Sequence, residues 1–77
     1  MRKQKLPRIS GKATIAALAK AGFTPRRQKG SHVLLKKEAE RTRIVVVPLH
    51  KEIDRGTLLE IIRQAGLQKE EFIRLTR

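Results

Sequence analysis

The 77-residue sequence contains no cysteine, tryptophan or tyrosine, and its only aromatic residues are Phe23 and Phe72. The absence of cysteine excludes disulfides and thiolate metal sites. Both phenylalanines fall at positions predicted for the core, so no aromatic side chain remains to stack on the bases of a single-stranded nucleic acid. Any nucleic acid would have to be recognised through its phosphates, 2′-hydroxyls and shape.

Acidic residues are also scarce. Seven Asp and Glu stand against 19 Lys and Arg, which gives a formal net charge of +12. A domain this small repels itself unless a polyanion supplies counter-charge, and nucleic acid is the commonest such partner. A membrane surface is the alternative, but the basic residues are spread along the chain instead of lying on one face of an amphipathic helix. We therefore expect a nucleic-acid partner.

No apolar run approaches the roughly 20 residues that a membrane span needs. The first 11 residues are basic but lack the apolar stretch of a signal peptide. We therefore expect a cytoplasmic protein without a membrane partner. The length allows one domain over residues 1–77, with residues 1–8 as a basic arm.

Hydrophobic periodicity predicts six elements in the order α-β-β-β-α, followed by a short extra C-terminal helix. Ser10 is the predicted N-cap of a helix over about 11–21, and Asp54 caps a second helix that ends at Gly66. Three strands are predicted over 23–28, 32–37 and 43–47, and the last helix begins near residue 69. The predicted fold class is α+β with a double-stranded-RNA-binding-domain-like layout.

The two histidines are the candidates for chemistry, because imidazole exchanges protons near neutral pH. His32 directly follows a Gly-Ser turn at the start of a strand, with Arg26, Arg27 and Lys29 just before it. A surface histidine without a role is the alternative there. His50 lies between the last strand and the second helix, where a histidine bonded to the backbone is the alternative.

Cleavage of RNA requires little from a protein. The substrate's own 2′-OH attacks the phosphate, a histidine moves protons, and Lys or Arg stabilises the added charge. Here Arg26, Arg27, Lys29 and Lys51 are the predicted RNA-binding residues, and His50 is a candidate to assist His32. Two histidines without a cysteine or a convincing acid make a poor metal site, so we expect neither metal nor cofactor.

From Leu6 to about Leu75 an ordered set of motifs resembles the HicA family, also called YcfA-like, of small RNase toxins. One of these motifs is the Gly-Ser-His triplet that ends at His32; each motif alone is weak, and the ordered set is highly specific. The other motifs are Leu6–Lys12, Ala21–Phe23, Gln28–Lys29, Val47–His50, Gly56–Leu58, Ile61–Leu67 and Glu70–Phe72.

The resemblance implies the toxin of a type II toxin–antitoxin system, an mRNA-cleaving endoribonuclease whose catalytic residue is His32. It also implies a HicB-type antitoxin that covers this site. The stretch Lys37–Thr42 departs from the family, where many relatives have a tight Asp-Gly turn. This departure concerns the shape of that loop and not the site. We expect the free toxin to be a monomer.

Two other classes of function remain open. A non-catalytic RNA-binding module, such as a ribosome-associated protein, fits the composition equally well, but it has no need of an imidazole beside a phosphate site. A DNA-binding regulator fits less well, because the second helix offers only Arg55 and Arg63 for groove contacts.

Overall fold

A computed structural model describes residues 5–77. The six elements are α1 (Gly11–Lys20), β1 (Thr24–Lys29), β2 (His32–Lys37), β3 (Arg43–Pro48), α2 (Arg55–Ala65) and α3 (Lys69–Leu75). The strands form one sheet in the order β1-β2-β3 with both pairs antiparallel. The α+β fold with its extra C-terminal helix is therefore confirmed. Of the predicted basic arm, residues 1–4 lie outside the described residues, and Leu6 packs against the core.

The predicted caps start both long helices. The Ser10 hydroxyl accepts a hydrogen bond from the Ala13 N–H at 3.1 Å. The Asp54 carboxylate accepts bonds from the Thr57 hydroxyl at 2.7 Å and the Thr57 N–H at 3.1 Å. These two bonds stabilise the charged carboxylate and lower the pKa of Asp54. The caps satisfy backbone donors that a helix leaves unpaired in its first turn.

The core lies between one face of the sheet and the helices. Phe23 is 2 % exposed and Phe72 is fully buried, so the chain presents no aromatic side chain to solvent. On α2 the buried residues Leu58, Ile61, Ile62 and Ala65 recur at helical spacing. The buried apolar residues are Ile9, Ala17, Leu18, Phe23, Val33, Leu35, Val45, Val47, Ile53, Leu58, Ile61, Ile62, Ala65 and Phe72.

The other face of the sheet is not covered by the helices, and we call it the open face. Along β2, Val33 and Leu35 are buried, so the alternate residues of the strand point to the open face. Cross-strand pairing arranges the open face in three rows. Each row takes one residue from β1, one from β2 and one from β3. The end row is Lys29, His32 and Pro48, the middle row is Arg27, Leu34 and Val46, and the third row is Thr24, Lys36 and Ile44.

Gly66 ends α2 with φ +72°, a backbone conformation that residues other than glycine rarely adopt. The guanidinium of Arg43 lies against it, in the space that a Cβ would occupy. We expect Gly66→Ala to lower the free energy of unfolding by about 1–2 kcal/mol, because alanine is strained at this φ, whereas the Arg43 guanidinium is the far end of a flexible side chain and can move aside.

Gly30→Ala is the matched control, because Gly30 has φ +58° and no atom within 4 Å of an added Cβ. Its free energy of unfolding should fall by a similar amount, about 1–2 kcal/mol, which comes from strain alone. Urea denaturation measures both variants, and a clearly larger loss in Gly66→Ala would show that Arg43 cannot move aside.

Candidate functional site

His32 is the first residue of β2, and its side chain is exposed. It occupies the middle of the end row of the open face, with Lys29 of β1 directly opposite and Pro48 of β3 on its other side. Directly opposed residues have Cβ atoms about 4.5–5.5 Å apart. An imidazole and an ammonium group are therefore presented together at one end of the sheet.

The turn before His32 is tighter than the sequence pattern predicts. Strand β1 extends to Lys29, so the hairpin turn consists of Gly30 and Ser31 alone, and Gly30 supplies the positive φ. The predicted strand ended one residue earlier and left Lys29 in the turn itself. Because Lys29 belongs to the strand, its position relative to His32 is fixed by pairing and not by a loop.

Arg26 and Arg27 line one concavity of about 390 Å³, which we call the sheet concavity. Strict alternation along a strand would send neighbouring side chains to opposite faces. The pairing with β2 shifts register between Pro25 and Arg27, and this bulge lets both arginines face the same space. The other residues that line it are Leu34, Lys36 and Ile44.

The segment after β3 ties the start of α1 to the turn before His32. The Leu49 N–H donates to the Ser31 carbonyl at 2.6 Å, and the Gly11 N–H donates to the His50 carbonyl at 2.9 Å. Gly11 is buried, and a Cβ there would overlap the Pro48 carbonyl and lie 2.8 Å from the Leu49 Cα. The absence of a side chain at Gly11 therefore allows α1 to approach the segment that carries His50.

A second concavity of about 310 Å³ lies where these segments meet, and we call it the loop concavity. It is lined by His50, the predicted assisting residue, and by Lys51, a predicted RNA-binding residue. Lys12, Ser10 and Leu49 complete the lining. Sequence reasoning missed Lys12, which reads as an ordinary solvent-facing helix residue. Its only signal is its place directly after Gly11, whose close approach to Pro48 is a tertiary feature.

The predicted cations thus fall into two groups on either side of His32. Arg26 and Arg27 lie in the sheet concavity, Lys51 lies in the loop concavity, and Lys29 is next to His32 itself. Among residues 5–77, the ion pair that involves these concavities joins Lys36 to Glu38 at 3.3 Å. It is solvent-exposed and contributes little energy, so the surface keeps its positive potential.

Metal ligands do not gather at this site. Within the described part of the chain, no three side chains of His, Cys, Asp or Glu are close enough to hold a metal ion. Nor does any helix there have the length and apolar character needed to cross a membrane. What the site does offer is imidazole, ammonium and guanidinium groups around a shallow, exposed surface.

A family model described as the HicA toxin of bacterial toxin–antitoxin systems matches residues 11–67. No curated protein matches the sequence. The matched range covers most of the chain and includes both histidines, the Gly-Ser turn before His32 and all four predicted RNA-binding cations. The chain therefore belongs to the HicA family, the toxins of bacterial toxin–antitoxin pairs.

Proposed function

We propose that this toxin is a metal-independent endoribonuclease that cleaves mRNA in the cytoplasm, with His32 as general acid/base. The observation that carries the proposal is the end row of the open face, where His32 is exposed with Lys29 directly opposite. A proton-transfer group and a fixed positive charge are the two contributions that RNA cleavage needs from a protein.

The proposed reaction uses the substrate's own nucleophile. The ribose 2′-oxygen attacks the adjacent phosphorus and loses its proton, the bond from phosphorus to the 5′-oxygen breaks, and that oxygen gains a proton. The products carry a 2′,3′-cyclic phosphate and a 5′-hydroxyl. His32 takes up or delivers one of these protons, and Lys29 stabilises the negative charge that builds on the phosphate.

His50 is the proposed assisting residue. Pro48 pairs with His32, and the next residue but one along the chain is His50, whose carbonyl is held by the Gly11 N–H. This arrangement supports a role for His50 at the same end of the sheet, either in the second proton transfer or in positioning phosphate beside Lys51.

The two concavities give the proposed RNA path. Arg26 and Arg27 would bind phosphates on one side of His32, and Lys12 and Lys51 would bind them on the other. Because no aromatic side chain is exposed, we expect weak sequence preference and strong dependence on salt.

Replacing both Lys12 and Lys51 with alanine should weaken RNA binding and flatten its salt dependence. Removing one cation that binds a phosphate reduces the slope of log affinity against log salt by about 0.7 for a single strand. The slope should therefore change by roughly 1.4 in the double variant, as measured by fluorescence anisotropy with a labelled RNA. Arg74→Ala, an exposed cation on α3, is the matched control and should leave the slope unchanged. A slope equal to that of the wild type would remove the loop concavity from the RNA path.

The proposed activity is tested by incubating the purified toxin in EDTA with a labelled RNA and with DNA of the same sequence. RNA should be fragmented while DNA stays intact, because only RNA has the 2′-hydroxyl. If neither is cut although RNA is bound, the toxin is a non-catalytic RNA-binding module and the proposed activity is wrong.

The membership of a toxin–antitoxin family supports a protein partner that neutralises the toxin. We propose that this partner is a HicB-type antitoxin that covers His32. The net charge of +12 disfavours association of two copies, so we expect the free toxin to be monomeric.

A further inference from the structure

The open face carries an aliphatic patch formed by Leu34, Ile44 and Val46. Ile44 is 50 % exposed and Val46 41 %, and Leu34 is directly opposite Val46 in the sheet. The helices pack on the other face, as the burial of Val45 and Val47 shows. Apolar side chains grouped on the surface of a small soluble protein often mark an interaction site.

RNA is a poor occupant for this patch. Aliphatic side chains neither attract phosphates nor provide the flat surfaces on which bases stack. A phosphate backbone laid across Ile44 and Val46 would lose water without gaining a hydrogen bond or an opposite charge. The cations that suit RNA lie beside the patch and not within it.

The charges around the patch identify the kind of protein that fits it. Arg26, Arg27 and Lys36 border Leu34 and Ile44 in the sheet concavity. A second copy of the toxin would bring its own charge of +12 against these cations, and the two would repel. A protein with aliphatic side chains at the centre and carboxylates at the rim would match both features.

We propose that the aliphatic patch is the docking site of the antitoxin, and that the antitoxin meets it with an acidic, partly aliphatic surface. The proposal rests on the family's protein partner and on the role of His32 stated above. It adds that Ile44 and Val46 anchor the partner. Val46 lies outside both concavities of the RNA path, whereas Ile44 lines the sheet concavity beside Arg26 and Arg27.

Docking there would also close the site. His32 and Leu34 are two residues apart on the same face of β2, which separates them by roughly 6–7 Å along the strand. A partner centred on Leu34 and Val46 would cover Arg26 and Arg27 and reach the imidazole. Neutralisation would then follow from obstruction of the RNA path, without any change in the fold of the toxin.

The test is isothermal titration calorimetry of the purified toxin with a purified HicB-type antitoxin from the same organism. The double variant Ile44→Thr, Val46→Thr removes apolar surface while it keeps β-branched residues and the net charge. Its dissociation constant should rise by roughly 10- to 100-fold, as expected when the apolar anchors of an interface are removed. Leu59→Gln is the matched control, because Leu59 is an apolar residue that is 37 % exposed but lies on α2, away from the open face. The dissociation constant of this variant for the antitoxin should stay within about twofold of the wild-type value.

RNA affinity and cleavage by the single variant Val46→Thr should match the wild type, because Val46 lines neither concavity, and this separates the proposal from the proposed activity. Calorimetry reports antitoxin binding whether or not the toxin cuts RNA. An unchanged antitoxin affinity would overturn the proposal, and so would a loss of RNA affinity with antitoxin affinity retained. If circular dichroism shows that the double variant is unfolded, Val46→Thr alone should still weaken antitoxin binding severalfold, and an unchanged affinity would again overturn the proposal.

Discussion

The variant His32→Ala is expected to cleave RNA roughly 10²- to 10⁴-fold more slowly than the wild type, the usual contribution of a general acid/base. The imidazole is exposed at the start of β2, where it packs into no part of the core that residues 5–77 form. The free energy of unfolding of the variant should therefore lie within about 0.5 kcal/mol of the wild-type value. Single-turnover cleavage of a labelled RNA measures the rate, and anisotropy confirms that binding persists.

His50→Ala is the informative comparison, because His50 is also exposed but lies in the loop concavity. If His50 completes proton transfer, its loss should slow single-turnover cleavage while RNA affinity stays unchanged. If it only positions phosphate, its loss should weaken RNA binding. A fully active His32→Ala variant would contradict the assignment of His32.

Gly11→Ala is expected to have the largest effect on stability. An added Cβ would meet the Pro48 carbonyl and the Leu49 Cα, both backbone atoms that cannot rotate away. Overpacking of this kind costs about 2–3 kcal/mol, a large part of the stability of a domain this small. The relaxation should move the segment that holds His50, so cleavage should fall by roughly 10- to 100-fold as well.

Gly56→Ala provides the control for this prediction. Gly56 is in the first turn of α2, as Gly11 is in the first turn of α1, and an added Cβ would approach only a side-chain oxygen of Asp54, at 3.5 Å. Alanine there should be neutral or stabilise the protein by up to about 1 kcal/mol, because it is the better helix former. Denaturant unfolding measures both variants. Equal stability of Gly11→Ala and Gly56→Ala would show that the contact between α1 and Pro48 is not close.

The elements of this fold could be predicted from the sequence because local signals and burial agree. Ser10 and Asp54 are caps whose bonds need only the first turn of each helix. The apolar spacing of α2 fixes which of its faces is buried, and the β-branched run before Pro48 predicts a strand. The exposed position of His32 followed from the Gly-Ser turn that precedes it.

The arrangement of the site depended on contacts between distant parts of the chain, which local patterns do not encode. The bulge that turns Arg26 and Arg27 into one concavity is a property of the pairing between β1 and β2. Lys12 joins His50 only because Gly11 can touch Pro48, 37 positions further along the chain. The exposure of Ile44 and Val46 likewise requires knowing which face of the sheet the helices cover.

The open face therefore combines two kinds of surface at close range. Cations and imidazole suit a polyanion, and the aliphatic patch suits a protein. A partner that binds the patch would compete with RNA by position alone, and its affinity would depend less on salt than RNA binding does, since apolar contacts are not screened.

Attack by the RNA's own 2′-hydroxyl, the reaction in which we place His32, determines the end groups of the fragments. The purified toxin would be incubated in EDTA with an RNA oligonucleotide, and with the same oligonucleotide carrying one 2′-deoxy residue at each mapped cleavage position. We expect 2′,3′-cyclic phosphate and 5′-hydroxyl ends, and no cleavage at the deoxy positions. Fragments with 3′-hydroxyl and 5′-phosphate ends, or cleavage that persists at the deoxy positions, would show that the 2′-hydroxyl is not the nucleophile.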